Sequence, residues 1–201
     1  HTQRRRQRQM CIRDSFQTMA EQNRETFDKY EFKKIVTQCP HCFSTLKNDY
    51  AEMGIDLDVV HHSQFIDELI QENKIEPQPW VDEDVTFHDP CYLGRHNNEY
   101  DAPRSVLQSV LRDGKIKEME KAKSESFCCG AGGGNMWYEI KTGERINQNR
   151  VKQAVSTKAS TVAAACNFCN IMLEDGVKTT QNEENIKVLD IAEMVSQSLS
   201  K

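Results

Sequence analysis

The sequence predicts an α/β protein made of two repeated half-domains with short, mainly parallel sheets, the first of them truncated. Three observations lead there. From residue 16 onward, short β-branched or apolar runs alternate with amphipathic helical patterns, as expected of helices that cross between parallel strands. One order of elements occurs twice along the chain. A stretch carrying Pro77, Pro79 and Trp80 separates the two copies and reads as a linker.

Strands are expected at 34–37, 57–60, 84–87, 161–164 and 187–189, each a brief run rich in β-branched or apolar residues. Helices are expected at 16–30, 64–71, 103–111, 144–158 and 191–199, where apolar residues recur at helical spacing. The repeat sets KKIVTQCPHCFSTLKNDY and DVVHHSQFIDELI beside STVAAACNFCNIMLEDGV and KVLDIAEMVSQSL. Both copies read strand, Cys-x-x-Cys, helix, short strand, helix. From Cys39 to Val59 is 20 positions and from Cys166 to Val188 is 22, a match that points to internal duplication. The expected domains are therefore a leader at 1–15, the end of a first domain at 16–76, a linker at 77–84 and a second, complete domain at 85–201. The leader, HTQRRRQRQMCIRDS, differs in composition from the rest and is read as a non-native or disordered segment joined to a truncated frame.

With 201 residues the chain can bury a core without disulfides, so stability does not account for its 8 cysteines. A hydrophobic share of 37% and a charged share of 28% describe an ordinary globular protein, and no apolar run approaches the roughly 20 residues of a membrane-spanning helix. The net charge of -5 gives no general attraction to nucleic acid. Without a visible secretory signal the expected compartment is cytoplasmic, where thiols stay reduced and cysteines bind metal or do redox chemistry.

After the linker the cysteines fall as Cys-x36-Cys-Cys-x36-Cys-x-x-Cys, at 91, 128, 129, 166 and 169. A single Cys-x-x-Cys after a strand suits a redox dithiol, a zinc site or an iron-sulfur site. Structural zinc takes four thiolates or imidazoles in a tetrahedron, commonly from two paired knuckles, and each repeat offers one knuckle. Adjacent Cys128 and Cys129 can hardly both reach one small ion. A cluster with several iron corners accepts neighbouring thiolates more readily. Zinc in a non-redox interaction module stays the alternative, with a thiol oxidoreductase using Cys39 and Cys42 as a third reading.

HDPCYLGR, FCCGAGGGNMW and ACNFCNIMLEDG resemble the CCG domain of the cysteine-rich heterodisulfide reductase proteins and their relatives, which include iron-sulfur components of glycolate and lactate oxidation systems. Within that family the chain is similar to bacterial heterodisulfide-reductase-related oxidoreductases, some associated with electron-transfer flavoprotein. The resemblance implies a [4Fe-4S] cluster, noncubane in the best-understood relatives, held by Cys91, Cys128, Cys129, Cys166 and Cys169. It implies two such domains in a complete chain, with Cys39 and Cys42 closing a first, partial site; Cys11, in the leader, is not taken as a ligand. The implied role is an oxidoreductase component passing electrons between a flavoprotein or ferredoxin-type partner and a terminal acceptor such as a disulfide or quinone. A membrane partner, or regions beyond this sequence, would place it at the inner membrane face.

Around the cysteines, Gly130, Gly132, Gly133 and Gly134 are expected to let backbone amides approach the Cys128 and Cys129 sulfurs. A dinucleotide loop fits poorly, since Asn135 stands where a third glycine belongs. His41 and His88 are candidate proton donors, or else hydrogen-bond partners that orient the cysteine loops. His61 and His62 are expected to be structural. Met136, Trp137 and Tyr138 are expected to pack into the core.

Overall fold

The computed structural model describes residues 2–138 and 143–199, with side chains from residue 13. The fold is α/β with two small parallel sheets. Its chain divides into two compact units, His1–Ile35 with Thr45–Val59, and Val36–Ser44 with Val60–Lys201. The segment 77–84 lies inside the second unit.

In the first unit, helix α1 spans Thr2–Phe27. It begins well before the expected residue 16, because the Gln- and Arg-rich run ahead of it is made of good helix formers and holds neither glycine nor proline. Its buried Ala20 packs with Tyr50 and Ile55, joined by Phe27, Leu46, Met53 and Leu57. Asn23 Nδ2 donates to the Tyr50 hydroxyl at 2.8 Å, so the polar end of that ring is satisfied. A π-helical turn at Thr45–Asp49 leads into the single turn α3, Tyr50–Glu52.

Strand β1, Ile35–Thr37, pairs with β2, Val59–His61. β2 ends one residue later than expected because His61 stays extended in order to cap the following helix. Cys39 follows β1 and opens the short helix α2, Pro40–Ser44, and α4 spans His62–Gln71.

The second unit is centred on β3 (Val85–His88), β4 (Thr161–Ala164) and β5 (Lys187–Asp190), a parallel sheet in that order. Every residue of β3 and β4 is buried, as expected of a parallel sheet covered on both faces. Register puts Val85 beside Thr161 and His88 beside Ala164, so the two strands end level. Around the sheet lie α5 (Cys91–Asn97), α6 (Asp101–Val110), α7 (Ile146–Ser156), α8 (Asn167–Thr179) and α9 (Ile191–Leu199). Val151, Ala154, Val162, Leu173 and Ile186 share one core cluster, in which α7 packs on α8. α4 packs on α6 and α9, and α2 on α5. Trp80 holds the 77–84 segment to this unit, its indole N–H donating to the Met194 carbonyl at 3.1 Å and its backbone N–H to Val110 at 3.0 Å.

α5 has no counterpart among the expected helices, because Pro90 before it and Gly94 within it look like loop residues. Gly94 is there for space: a Cβ would stand 2.5 Å from Tyr100 Cε1.

Matching segments of the two copies start their last helices in the same way. His61 accepts from Ser63 N–H while its own N–H donates to Gln64 Oε1 at 3.1 Å. Asp190 accepts from Ala192 N–H at 2.9 Å while its own N–H donates to Glu193 Oε2 at 2.9 Å. Both are reciprocal helix caps.

Candidate metal centre

β3 and β4 end side by side, and from each the chain turns directly into a cysteine. Beyond β3, Asp89 and Pro90 lead to Cys91 at the start of α5. Beyond β4, Cys166 is the extended residue before α8, and Cys169 lies in the first turn of that helix. Ligands gather beyond the carboxyl ends of parallel strands because loops and helix N-termini converge there. The Cys128-Cys129 loop is drawn to the same place by Ser126, whose hydroxyl donates to the Asp89 carbonyl at 3.2 Å.

Cys129, Cys166 and Cys169 are buried, and Cys91 and Cys128 are half-buried. None of the seven described cysteines forms a disulfide. The ligand atoms of His88, Cys129 and Cys169 all lie within 4.8 Å of one another. Gly130 N–H donates to Cys128 Sγ at 3.2 Å, an approach made at a backbone φ of +96°. Gly133 and Gly134 also have positive φ, whereas a Cβ on Gly132 would meet nothing within 4 Å. Among these four glycines, close approach to a sulfur is therefore Gly130's part.

The sulfurs share protons. Cys129 is held far below the ordinary thiol range by hydrogen bonds from Cys128 and Cys169, against the effect of burial, with His88 adding a further bond. Cys166 is lowered to about 5, chiefly by a hydrogen bond from Cys169. The donors are raised in return, Cys128 by its bond to Cys129, and Cys169 by its bonds to Cys129 and Cys166. Burial, then the Cys129 charge, raises Cys91. A set of adjacent sulfurs already part-ionised is what a thiophilic cation needs, since metal binding displaces the remaining thiol protons. Five thiols on three segments, two of them neighbours in sequence, fit a cluster with several metal corners better than one tetrahedral ion.

His41, between Cys39 and Cys42, is brought to the same region. Hydrogen bonds to Cys166 and Cys39 raise it to about 9. Its ring lies 4.2 Å from that of Tyr92 and 5.7 Å, edge-on, from that of Phe168. Cys39 stays below the usual thiol range, burial being outweighed by hydrogen bonds from His41 and Cys42, while burial and the Cys39 charge raise the exposed Cys42.

Polar residues that no sequence motif singles out hold this arrangement together. Fully buried Arg150 on α7 donates from Nε to His88 Nδ1 at 2.9 Å, from Nη1 to the Lys121 carbonyl at 2.9 Å and from Nη2 to Ser126 Oγ at 3.2 Å. Asp89 takes two bonds from Arg104, at 2.8 and 3.1 Å, and Arg104 also binds Glu118. Asp190 accepts from Asn170, which follows Cys169, at 3.1 Å, and pairs with His62 at 3.3 Å. His61 and His62 are buried members of this structure, although His62 Nδ1 has no hydrogen-bond partner among the described residues. A basic residue on α7 gives no motif, and its only signal is a charge set among Val151 and Ala154 on the buried side of the helix.

One expectation is overturned. Met136 packs against the core cluster, but Trp137 and Tyr138 are 77% and 70% exposed. The positive φ of Gly133 and Gly134 kinks the short helix that carries them and turns both rings outward.

No described helix is long and apolar enough to cross a membrane. A family model for the cysteine-rich domain CCG matches residues 7–47 and 85–174. The chain is 42% identical over 184 residues to FadF of Bacillus subtilis strain 168, named a probable iron-sulfur-binding oxidoreductase, a match covering 92% of this chain and 26% of that protein. It is also 42% identical over 187 residues to the EtfAB:quinone oxidoreductase of Syntrophomonas wolfei, covering 90% of this chain and 26% of that protein. To a component of the dihydromethanophenazine:CoB–CoM heterodisulfide reductase of Methanosarcina barkeri the identity is 35% over 194 residues, covering 95% of this chain and 47% of that component. The chain thus spans about a quarter to a half of the length of these curated relatives.

Proposed function

This chain belongs to the CCG cysteine-rich domain family, and from that premise we propose that it is the cluster-binding part of an iron-sulfur oxidoreductase. The observation that carries the reading is the convergence of Cys91, Cys128, Cys129, Cys166 and Cys169 beyond the ends of β3 and β4. Those five cysteines would hold a [4Fe-4S] cluster, and Cys39 and Cys42 would belong to a second site. A cluster held there accepts and releases single electrons.

The chain's own groups prepare that place. Cys128 and Cys169 give up the protons they share with Cys129 and Cys166. Gly130 N–H and His88 Nε2–H point hydrogen-bonding charge at the sulfurs, which favours the reduced state. The buried walls of β3 and β4 keep water from one side of the site. His41 holds a proton between Cys39 and Cys166, where it can be given to a reduced sulfur of a bound acceptor. The partners would be a flavoprotein or ferredoxin-type donor, in keeping with the name of the Syntrophomonas relative, and a disulfide or quinone acceptor. The setting would be cytoplasmic, or peripheral at the inner membrane face.

The test is anaerobic reconstitution with iron and sulfide. A brown chromophore with iron and sulfide in equal amounts, and an altered paramagnetic signal in Cys129→Ser, is expected. A colourless protein that carries stoichiometric zinc and keeps it in Cys129→Ser would replace this reading with a zinc-stabilised module.

A further inference from the structure

Arg150 is 0% exposed, yet among the described residues no carboxylate lies within hydrogen-bonding distance of it. Its described partners are all neutral: His88 Nδ1, the Lys121 carbonyl, Gln153 Oε1 at 2.7 Å and Ser126 Oγ. The nearby carboxylates are otherwise engaged, since Asp89 and Glu118 both bind Arg104 and act on Arg150 only through space. A guanidinium stays charged at neutral pH even when buried. A buried charge without a counter-charge is costly, so a negative neighbour is called for. The His88 ring that Arg150 bonds has its ligand atom within 4.8 Å of the sulfurs of Cys129 and Cys169.

The hydrogen bonds also fix a tautomer. Arginine only donates, so His88 Nδ1, 2.9 Å from Arg150 Nε, must be an unprotonated acceptor. The ring proton is then on Nε2, the nitrogen left to face the Cys129 and Cys169 sulfurs, which lie within 4.8 Å of the ring's ligand atom. Guanidinium, imidazole and sulfur form one polarised line, ending on a member of the vicinal pair.

We propose that Arg150 is the buried counter-cation of the cysteine-held cluster, and that it acts as a positioning residue which, through His88, holds an N–H on the Cys129 sulfur and raises the reduction potential of the site. The inference rests on the iron-sulfur reading. Reduction adds one negative charge to the site, so a fixed cation behind it favours the reduced form. Exposed lysines or arginines would not serve, because water screens them.

The test is a redox titration of the reconstituted chain followed by paramagnetic resonance, with Arg150→Gln and Gln153→Glu. The first removes the charge. The second places a carboxylate where Arg150 Nη1 already bonds an amide, so the cation is neutralised locally with no change of side-chain size. Gln153 is only part-buried, so this variant folds even if Arg150→Gln does not. Both are expected to lower the midpoint potential, the reduced-to-oxidised ratio at fixed potential falling about tenfold, or about 59 mV for one electron. A merely structural role would move stability and leave the potential alone. Gln153→Glu protein loaded with cluster at an unchanged potential overturns the inference by itself. Wild-type chain that takes up no cluster overturns the iron-sulfur reading, and this inference with it.

Discussion

Replacing Gly130 with alanine tests whether the loop beside Cys128 is as constrained as its geometry demands. At φ +96° an L side chain is strained, which costs about 1–2 kcal/mol. The new Cβ would also stand 3.2 Å from Ile146 Cβ and 3.3 Å from Asn147 N, at the first residues of α7. That helix start cannot easily withdraw, because Asn147 Nδ2 is tied to the Met172 carbonyl at 3.1 Å and to Asp175 at 2.7 Å. Overpacking against such a neighbour adds ~1–3 kcal/mol. The sum is about 2–5 kcal/mol, which at a urea slope of roughly 1–3 kcal/mol/M lowers the unfolding midpoint by roughly 0.7 M or more. Gly132→Ala is the control, since nothing lies within 4 Å of its Cβ and its φ is not positive. It should stay within ~0.5 kcal/mol of wild type. Urea unfolding of the two cluster-free variants decides the matter, and equal midpoints would refute the argument from conformation and contact.

Burial, with the neighbouring His62, lowers His61 from 6.5 to about 3. The unfolded chain therefore binds a proton that the folded chain refuses. His61 contributes stability that is complete above pH 6.5 and is lost as the pH falls toward 3, and a His61→Asn variant, which keeps a cap acceptor, should show a shallower loss in acid melts. Asp89→Ala removes two bonds to Arg104 and one from Lys123 N–H at 2.8 Å. Since Arg104 keeps Glu118, calorimetry should find a destabilisation at the low end of the ~3–5 kcal/mol typical of a broken buried pair. Arg112→Ala, which breaks a fully exposed pair with Asp82, should leave the melting temperature unchanged.

Strands β3 and β4 were readable because they are buried along their whole length and so carry short runs rich in β-branched and apolar residues, with β4 matching its expected span at Thr161–Ala164. The cysteine spacing pointed to a shared site, and in the structure the sulfurs of Cys129 and Cys169 lie within 4.8 Å of each other. α5 was invisible because its signals are a proline before its first residue and a glycine kept for Tyr100, both of which read as loop when the contact is unknown. Arg150 was invisible for a related reason. Its role depends on partners at 88, 121 and 126, and no local pattern announces a contact so far along the chain. Trp137 and Tyr138 were assigned to the core on composition, whereas backbone handedness at Gly133 and Gly134 decided their direction.

The two capped helix starts use the same reciprocal cap but different side chains. His61 can cap its helix and still donate from Nε2 to the Gln38 carbonyl at 3.1 Å, which no carboxylate could do. Asp190 can cap its helix and still accept from Asn170, which an imidazole already bound to a backbone N–H and carrying its proton elsewhere could not do. A consensus sequence averaged over the two segments would give both helices an adequate start and yet leave either the carbonyl ahead of Cys39 or the amide behind Cys169 without its partner. The two helix starts share a backbone plan, but the side chains that serve the neighbouring cysteine segments differ.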